Sequence, residues 1–96
     1  MSDTSDIQVS NDEAQSHYVA QLDGEQVGTA AYELTDDTIV FTHTIVDEDV
    51  EGRGVGSTLI GYALDDARGR QLTVVPQCGF VAAFIDEHPD YQDLLA

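Results

Sequence analysis

One short glycine-rich stretch has the residue types and spacing of a phosphate-binding turn. It consists of Gly52, Arg53, Gly54, Val55, Gly56 and Ser57. Glycines let the backbone approach a ligand closely, and the free N–H groups at a helix start attract an anion. A helical pattern begins at Val55, so the stretch suits a pyrophosphate. An ordinary loop that needs glycines is an alternative that the spacing leaves open.

Two common nucleotide-binding motifs do not fit this turn. A Walker A loop requires a lysine after its last glycine, and the chain contains none. The dinucleotide fingerprint requires a third glycine where Ser57 or Leu59 stands, depending on which glycine starts the count. The turn therefore belongs to a different kind of anion site, if it binds an anion.

Two side chains near this turn are candidates for chemistry. Cys78 precedes a helical pattern whose N-terminus would favour the thiolate, although a buried apolar cysteine is an equally good interpretation. His43 is a candidate general base, with a structural role in its strand as the alternative. Because Cys78 is the only cysteine, an internal disulfide is excluded. The histidines and Cys78 match no metal-binding spacing, so no metal is predicted.

Hydrophobic periodicity predicts the elements that position these residues. Strands are expected at residues 17–22, 26–34, 38–46 and 71–75, and helices at 55–68 and 80–88. The first three strands are joined by turns too short for crossovers, so they should form an antiparallel meander. In the first helix a buried stripe is predicted at Val55, Leu59, Ile60, Ala63, Leu64 and Ala67. Gly69 is expected to end that helix.

The order of these elements predicts a βαβ unit. Strand 38–46, helix 55–68 and strand 71–75 should place the two strands parallel. Ligands of such units bind at the carboxyl ends of the strands. The glycine turn follows one of these ends and Cys78 follows the other, so both features should lie at the same edge of the sheet.

The charge balance limits the class of partner. Nineteen acidic residues face three arginines, which gives a formal net charge of −16. Such repulsion destabilises a compact fold unless salt screens it, and at molar salt the screening length is about 3 Å. We therefore hypothesise a halophilic origin, with an ordinary acidic protein as the alternative. No basic face is available for phosphate backbones, so nucleic acid is not expected as a partner.

Length and hydropathy predict one domain without a membrane span. The chain has 96 residues and no apolar run long enough to cross a bilayer. Residues 1–14 read as a disordered or loosely attached acidic arm, and residues 15–96 as the domain. The acidic start does not have the form of a signal peptide, so a cytoplasmic location is expected. A monomer or a homodimer is consistent with this size.

The residues described above resemble the GNAT acyltransferase superfamily, in particular a small, minimal subfamily. The superfamily motif has Gln or Arg, two free positions, Gly, one free position, and Gly or Ala; residues Glu51 to Gly56 align with it, with Glu51 at the first position. The subfamily resemblance adds His43-Thr44, Ala63-Leu64, Ala67-Arg68, Val75-Pro76, Cys78-Gly79-Phe80-Val81 and His88-Pro89-Asp90-Tyr91. Together these matches cover about residues 16–95.

The resemblance implies a fold, a ligand and site residues. The fold would be α/β (α+β), with the meander followed by a βαβ unit of splayed parallel strands and a short C-terminal helix. Acetyl-coenzyme A would bind as co-substrate, its pyrophosphate on the turn at residues 52–57. Backbone N–H groups of Arg53, Gly54, Gly56 and Ser57 would hold that pyrophosphate. The pantetheine arm would bond the backbone of Ile45 and Val46, with the thioester toward Cys78.

The activity implied is transfer of an acetyl group to an amine by direct attack, with Cys78 and His43 as candidate catalytic residues. The acceptor would be a small molecule or a lysine-rich protein segment. Three positions depart from the pattern: Glu51 replaces Gln or Arg, Ile45 replaces a frequent Glu, and Gly79 replaces a frequent proline. A non-catalytic acyl-coenzyme A sensor and a plain interaction domain therefore remain as alternatives.

Overall fold

The structure, a computed structural model, describes residues 7–50 and 54–95. It contains one five-stranded sheet with the strand order β1-β2-β3-β4-β5. The strands are β1 (Ile7–Asp12), β2 (His17–Leu22), β3 (Glu25–Thr35), β4 (Thr38–Val46) and β5 (Thr73–Pro76). The helices are α1 (Val55–Gly69) and α2 (Gly79–Glu87), with short 3₁₀ turns at Glu48–Val50 and Pro89–Leu94. No helix in the described residues is long and apolar enough to cross a membrane.

The four predicted strands pair as expected. Strands β1 to β4 pair antiparallel in sequence order, and β4 pairs parallel with β5. Short turns dictate the antiparallel part, whereas the parallel pair needs α1 as a crossover. The fold class is therefore the mixed α/β arrangement predicted from the sequence.

The edge strand β1 is the main difference from the sequence-based expectation. Residues 7–12, which were expected in a loosely attached arm, pair along their whole length with β2, from Ile7 opposite Leu22 to Asp12 opposite His17. Ile7 and Val9 pack against the core. Only these two apolar residues alternate in the segment, so its local signal is weak and pairing with β2 determines its structure.

The core lies between the sheet and α1. The six residues of the predicted helical stripe are those that α1 buries: Val55, Leu59, Ile60, Ala63, Leu64 and Ala67. Tyr18 of β2 and Phe41 of β4 are buried beneath this stripe, within 6.3 Å of each other by ring centroid. A period of 3.6 residues thus gave the correct buried face.

Several element boundaries differ from the predicted ones by one or two residues. Helix α1 runs through Gly69, and the chain leaves it at Gln71, which has a positive φ of 60°. The N–H of Leu72 closes this end by donating to the carbonyl of Ala67. Strand β5 consequently starts at Thr73 rather than at residue 71.

Strands β4 and β5 separate before β4 ends. Their parallel pairing stops at Phe41 opposite Pro76, whereas β4 continues to Val46. A bulge lies at this point, because Ala31 pairs with His43 and Tyr32 with Phe41, which leaves Thr42 unpaired on β4. Within the described residues, the edge of β4 from 42 to 46 that faces away from β3 has no strand partner.

Candidate active site

A cleft opens where β4 and β5 separate. It has a volume of about 480 Å³ and is lined by Thr44, Ile45, Val46 and Phe80. We call it the strand cleft. One wall is the unpaired edge of β4, and Phe80 comes from the first turn of α2. Unsatisfied backbone groups on a strand edge can pair with an extended ligand, so the cleft suits a chain that carries amides.

Cys78 is fixed beside the strand cleft. Its backbone N–H donates to the carbonyl of Phe41, the last residue of β4 that pairs with β5, at 2.9 Å. Its Sγ lies 3.4 Å from the Oγ1 of Thr44, which lines the cleft. The residue is half-buried at the N-cap of α2. The thiol thus faces the point where the two strands part.

The surroundings of Cys78 favour the thiolate. Burial raises the pKa of Cys78, but hydrogen bonding by the Thr44 hydroxyl and the nearby backbone N–H groups of Val81, Phe80 and Thr44 more than offset it. The net result is a pKa below that of an ordinary cysteine. Cys78 forms no regular N-cap hydrogen bond, so Thr44 is its defined side-chain partner. A larger thiolate fraction makes the sulfur a better nucleophile.

The described part of the glycine turn forms the start of α1. Gly54 is the N-cap residue with a left-handed φ of 81°, a conformation that glycine adopts without steric cost. The first intrahelical bond runs from the N–H of Thr58 to the carbonyl of Gly54, at 2.9 Å. Earlier N–H groups of a helix have no intrahelical acceptor and attract anions. Glu51, Gly52 and Arg53 lie outside the described residues.

Gly56 brings the two helix starts together. A Cβ atom at this position would lie 2.6 Å from Cζ of Phe80, closer than side-chain contacts allow. The Phe80 ring therefore packs directly on the first turn of α1. Because Phe80 follows Cys78 by two residues, the glycine turn and the cysteine lie at the same edge of the sheet. The first contains the candidate anion site and the second the candidate nucleophile.

His43 lies on the opposite face of the sheet from Thr44. It is exposed and pairs with Ala31, whereas Thr44 pairs with the buried Ala30. Neighbouring residues of a strand point to opposite faces, so His43 is not placed next to Cys78. Ile45 shares the face of His43, and 65% of its surface is exposed. The catalytic role of His43 stays a prediction.

Sequence analysis did not identify Thr44 or Phe80 as site residues. Thr44 lay within the predicted strand at 38–46, and Phe80 within the predicted helix at 80–88. Their contacts with Cys78 and Gly56 depend on distant pairing, which no local pattern reveals. In the described residues, no group of three or more His, Cys, Asp or Glu side chains is arranged to hold a metal ion.

Comparison with known proteins identifies a family and several similar folds. Residues 17–94 match the family model described as GCN5-related N-acetyl-transferase. No curated protein sequence matches the chain. The structure is similar to the solution structure of a GCN5-like candidate N-acetyltransferase from Staphylococcus aureus, with a TM-score of 0.73 and 21% identity, over 96% of this chain and 90% of that one.

Two larger enzymes share the fold over part of their length. One is N-acetylglutamate synthase from Neisseria gonorrhoeae, solved with coenzyme A and N-acetyl-glutamate; its TM-score is 0.57 and its identity 22%, over 67% of this chain and 16% of that one. The other is ribosomal-protein-alanine N-acetyltransferase from Brucella melitensis, with a TM-score of 0.58 and 24% identity, over 83% of this chain and 61% of that one. At these identities the likeness shows the fold, and the sequence match over residues 17–94 shows the family: the chain belongs to the GCN5-related N-acetyltransferases.

Proposed function

We propose that the protein transfers an acetyl group from acetyl-coenzyme A to an amine by direct attack on the thioester. The observation that carries this proposal is the strand cleft, which lies between the start of α1 and Cys78. The start of α1, an unpaired strand edge and a thiol follow one another along it. This order corresponds to the pyrophosphate, the amide-containing pantetheine arm and the thioester of the coenzyme.

The binding geometry follows from the backbone. The pantetheine arm would pair with the free edge of β4 at Ile45 and Val46, as an added strand pairs with a sheet edge. The pyrophosphate would lie at the start of α1, on N–H groups of residues 54–57. Participation of Gly52 and Arg53 rests on the sequence motif alone. Support for this ligand comes from the Neisseria gonorrhoeae relative, which was solved with coenzyme A.

The proposed chemical step conserves all atoms and electrons. The amine nitrogen attacks the thioester carbonyl carbon, a C–N bond forms and the C–S bond breaks. The sulfur leaves with the bonding pair and takes up the proton that the amine loses. The protein contributes orientation of the two reactants and backbone N–H groups for the negative charge that develops on the carbonyl oxygen.

A second route through Cys78 is favoured by its lowered pKa. In this route the Cys78 thiolate attacks the thioester, a new S–C bond forms and the coenzyme thiolate leaves. The acceptor amine then attacks the Cys78 thioester, the Cys78 sulfur leaves as a thiolate, and the coenzyme thiolate takes up the proton that the amine loses. Thr44 is placed to donate a hydrogen bond to this thiolate both before it attacks and after it leaves. Both routes give the same final products. Only the route through Cys78 includes an acylated form of the protein.

The net negative charge of the chain supports a cationic acceptor and a high salt concentration. An amine acceptor is a cation before it loses its proton, and the net charge of −16 attracts cations. A polyamine-like small molecule and a lysine-rich protein segment both have this chemistry. The same charge supports a high-salt habitat, where ions screen the repulsion between carboxylates.

The alternative of a non-catalytic sensor for acyl-coenzyme A is favoured by one residue. Ile45 places an exposed apolar side chain on β4 where an acid would supply a general base. A sensor and an enzyme both bind the coenzyme, and only the enzyme releases free thiol when amines are present.

The test is a titration with acetyl-coenzyme A at about 2 M KCl, where charges are screened, followed by a thiol-release assay with a panel of amines. Saturable binding with amine-dependent thiol release supports the transferase. Binding without release supports the sensor, and absence of binding refutes both. Intact mass before amine addition separates the routes, because a gain of one acetyl group that Cys78→Ala abolishes shows the acylated intermediate.

A further inference from the structure

The two edges of the sheet differ in how they are closed. Strand β5 has four residues and ends at Pro76, which has no backbone N–H to offer to a further strand. Its Val74 also forms a parallel bridge with Leu95, so the chain that follows α2 lies along this edge. Both features hinder another strand from pairing with β5.

Strand β1 forms the other edge and has neither of these features. Its six residues pair with β2 in one uninterrupted register, from Ile7 opposite Leu22 to Asp12 opposite His17. The strand contains no proline and no basic side chain. Within residues 7–50 and 54–95, β2 is the one strand that pairs with it. The N–H and C=O groups on its outer side are therefore available to an added strand.

The edge formed by β1 carries little charge. No side chain from Ile7 to Asn11 is ionisable, and Asp12 is the one acidic residue of the strand. The whole chain, in contrast, has 19 acidic residues and a net charge of −16. A basic partner would find few carboxylates to bind along β1. Two copies of the chain that met elsewhere would bring carboxylates together, whereas contact along β1 keeps most of them apart. The edge therefore suits a second copy.

The faces of β1 also match those of a second copy. Ile7 and Val9 pack against the core but are only half-buried, whereas Gln8 and Ser10 lie on the other face and are exposed. A two-fold axis at Val9 places Val9 opposite the same residue of the second copy, Gln8 opposite Ser10, and Ile7 opposite Asn11. Residues directly opposite in an antiparallel pair share a face, so this register joins inner face to inner face. It also covers the exposed parts of Ile7 and Val9.

We infer that two copies of the chain pair antiparallel through β1 and form a dimer. The two five-stranded sheets join into one sheet of ten strands. Because Pro76 and Leu95 close the edge at β5, assembly stops at two copies. The strand clefts lie toward the far ends of the joined sheet, so each copy keeps its own site. The inference does not depend on the proposed function.

The first experiment is sedimentation velocity over a range of protein and KCl concentrations. We expect a reversible equilibrium between monomer and dimer. Association should strengthen as KCl is added, because salt screens the repulsion between two chains of net charge −16. A protein that stays monomeric at molar KCl would overturn the inference. Oligomers that grow beyond the dimer would overturn it too, since they require a second associating surface.

Paired variants test the register. Gln8→Glu with Ser10→Glu places like charges opposite each other across the interface, and Gln8→Lys with Ser10→Glu places opposite charges there. Gln77→Glu with Gln92→Glu is the control, because it adds the same negative charge at exposed positions near the other edge.

The comparison is made at the lowest KCl concentration at which the unmodified protein dimerises, so that charges are not fully screened. Relative to the control, the variant with like charges should associate several-fold more weakly. The variant with opposite charges should associate several-fold more tightly than the unmodified protein. If the variant with like charges and the control dimerise equally, the interface lies elsewhere.

Hydrogen exchange measured by NMR locates the interface without a substitution. In the monomer, the N–H groups of β1 that point away from β2 are open to water and exchange fast. In the dimer they donate to the second copy, so alternate amides of residues 7–11 should exchange more slowly as the protein concentration rises. Protection that increases with concentration elsewhere in the chain but not in β1 would refute pairing through this strand.

Discussion

The hydrogen bond between Thr44 and Cys78 gives the sharpest prediction. The substitution Thr44→Val keeps the shape of the side chain and removes its hydroxyl. The Cys78 thiolate then loses its side-chain partner, while the backbone N–H groups near the sulfur remain. Since the hydroxyl stabilises the charged form, its removal must raise the pKa of Cys78.

The size of this effect follows from the energy of such a bond. A hydrogen bond to a charged group contributes about 1.5–3 kcal/mol, and about 1.4 kcal/mol corresponds to one pKa unit. Cys78 is half-buried and solvent can replace part of the loss, so we expect a cost to the thiolate at the lower end of that range. At pH values below the pKa of the thiol, such a cost corresponds to a roughly tenfold smaller thiolate fraction.

The assay is the pH dependence of alkylation by iodoacetamide, which reacts with thiolates. Since the chain has a single cysteine, the reaction reports on Cys78 alone. Thr42→Val is the matched control, because the Thr42 hydroxyl lies 3.4 Å from the carbonyl of Ala31 and is not a partner of Cys78. If Thr44→Val and the control titrate like the unmodified protein, the hydroxyl does not stabilise the thiolate and the reasoning fails.

Three further outcomes are expected. Burial and Asp66 raise the pKa of Tyr18 well above its ordinary 10.0, so Tyr18 ionises first in the unfolded state, and above pH 10.0 the free energy of unfolding should fall by up to about 1.4 kcal/mol per pH unit. Tyr18→Phe should flatten this slope in urea titrations, and an unchanged slope would contradict the prediction. Gly61→Ala should raise the free energy of unfolding by about 0.8–1 kcal/mol, because alanine favours the helix and its Cβ would make an ordinary 3.9 Å contact with Phe84. Gly56→Ala should stabilise less or destabilise, because its Cβ would clash with Phe80, unless Phe80→Ala removes the clash. Coenzyme A affinity, measured by calorimetry, should rise with KCl concentration, because salt screens the repulsion between the anionic ligand and a chain of net charge −16; a fall would show that local attraction dominates.

Much of the fold was predictable because its signals are local. The buried face of α1 follows from the spacing of apolar residues, and all six predicted residues of the stripe are buried. The antiparallel order of β2, β3 and β4 follows from turns that allow no other connection. The βαβ unit follows from the order of its elements. Strand β1 was missed, because two alternating apolar residues do not distinguish a strand from an arm.

The glycine turn and Cys78 could also be singled out from the sequence, since glycine spacing and a lone thiol are visible as residue types. The chain by itself thus determined the order of elements, the buried helical face and the residues that suit a coenzyme. The tertiary structure alone decided where β4 and β5 part, that Thr44 rather than His43 contacts Cys78, and that Phe80 lies on Gly56. These contacts join residues 24 to 34 positions apart, and strand register, the bulge at Thr42 and the packing of α2 fix them together. Periodicity reports which face of an element is buried, but not which distant side chain meets it there.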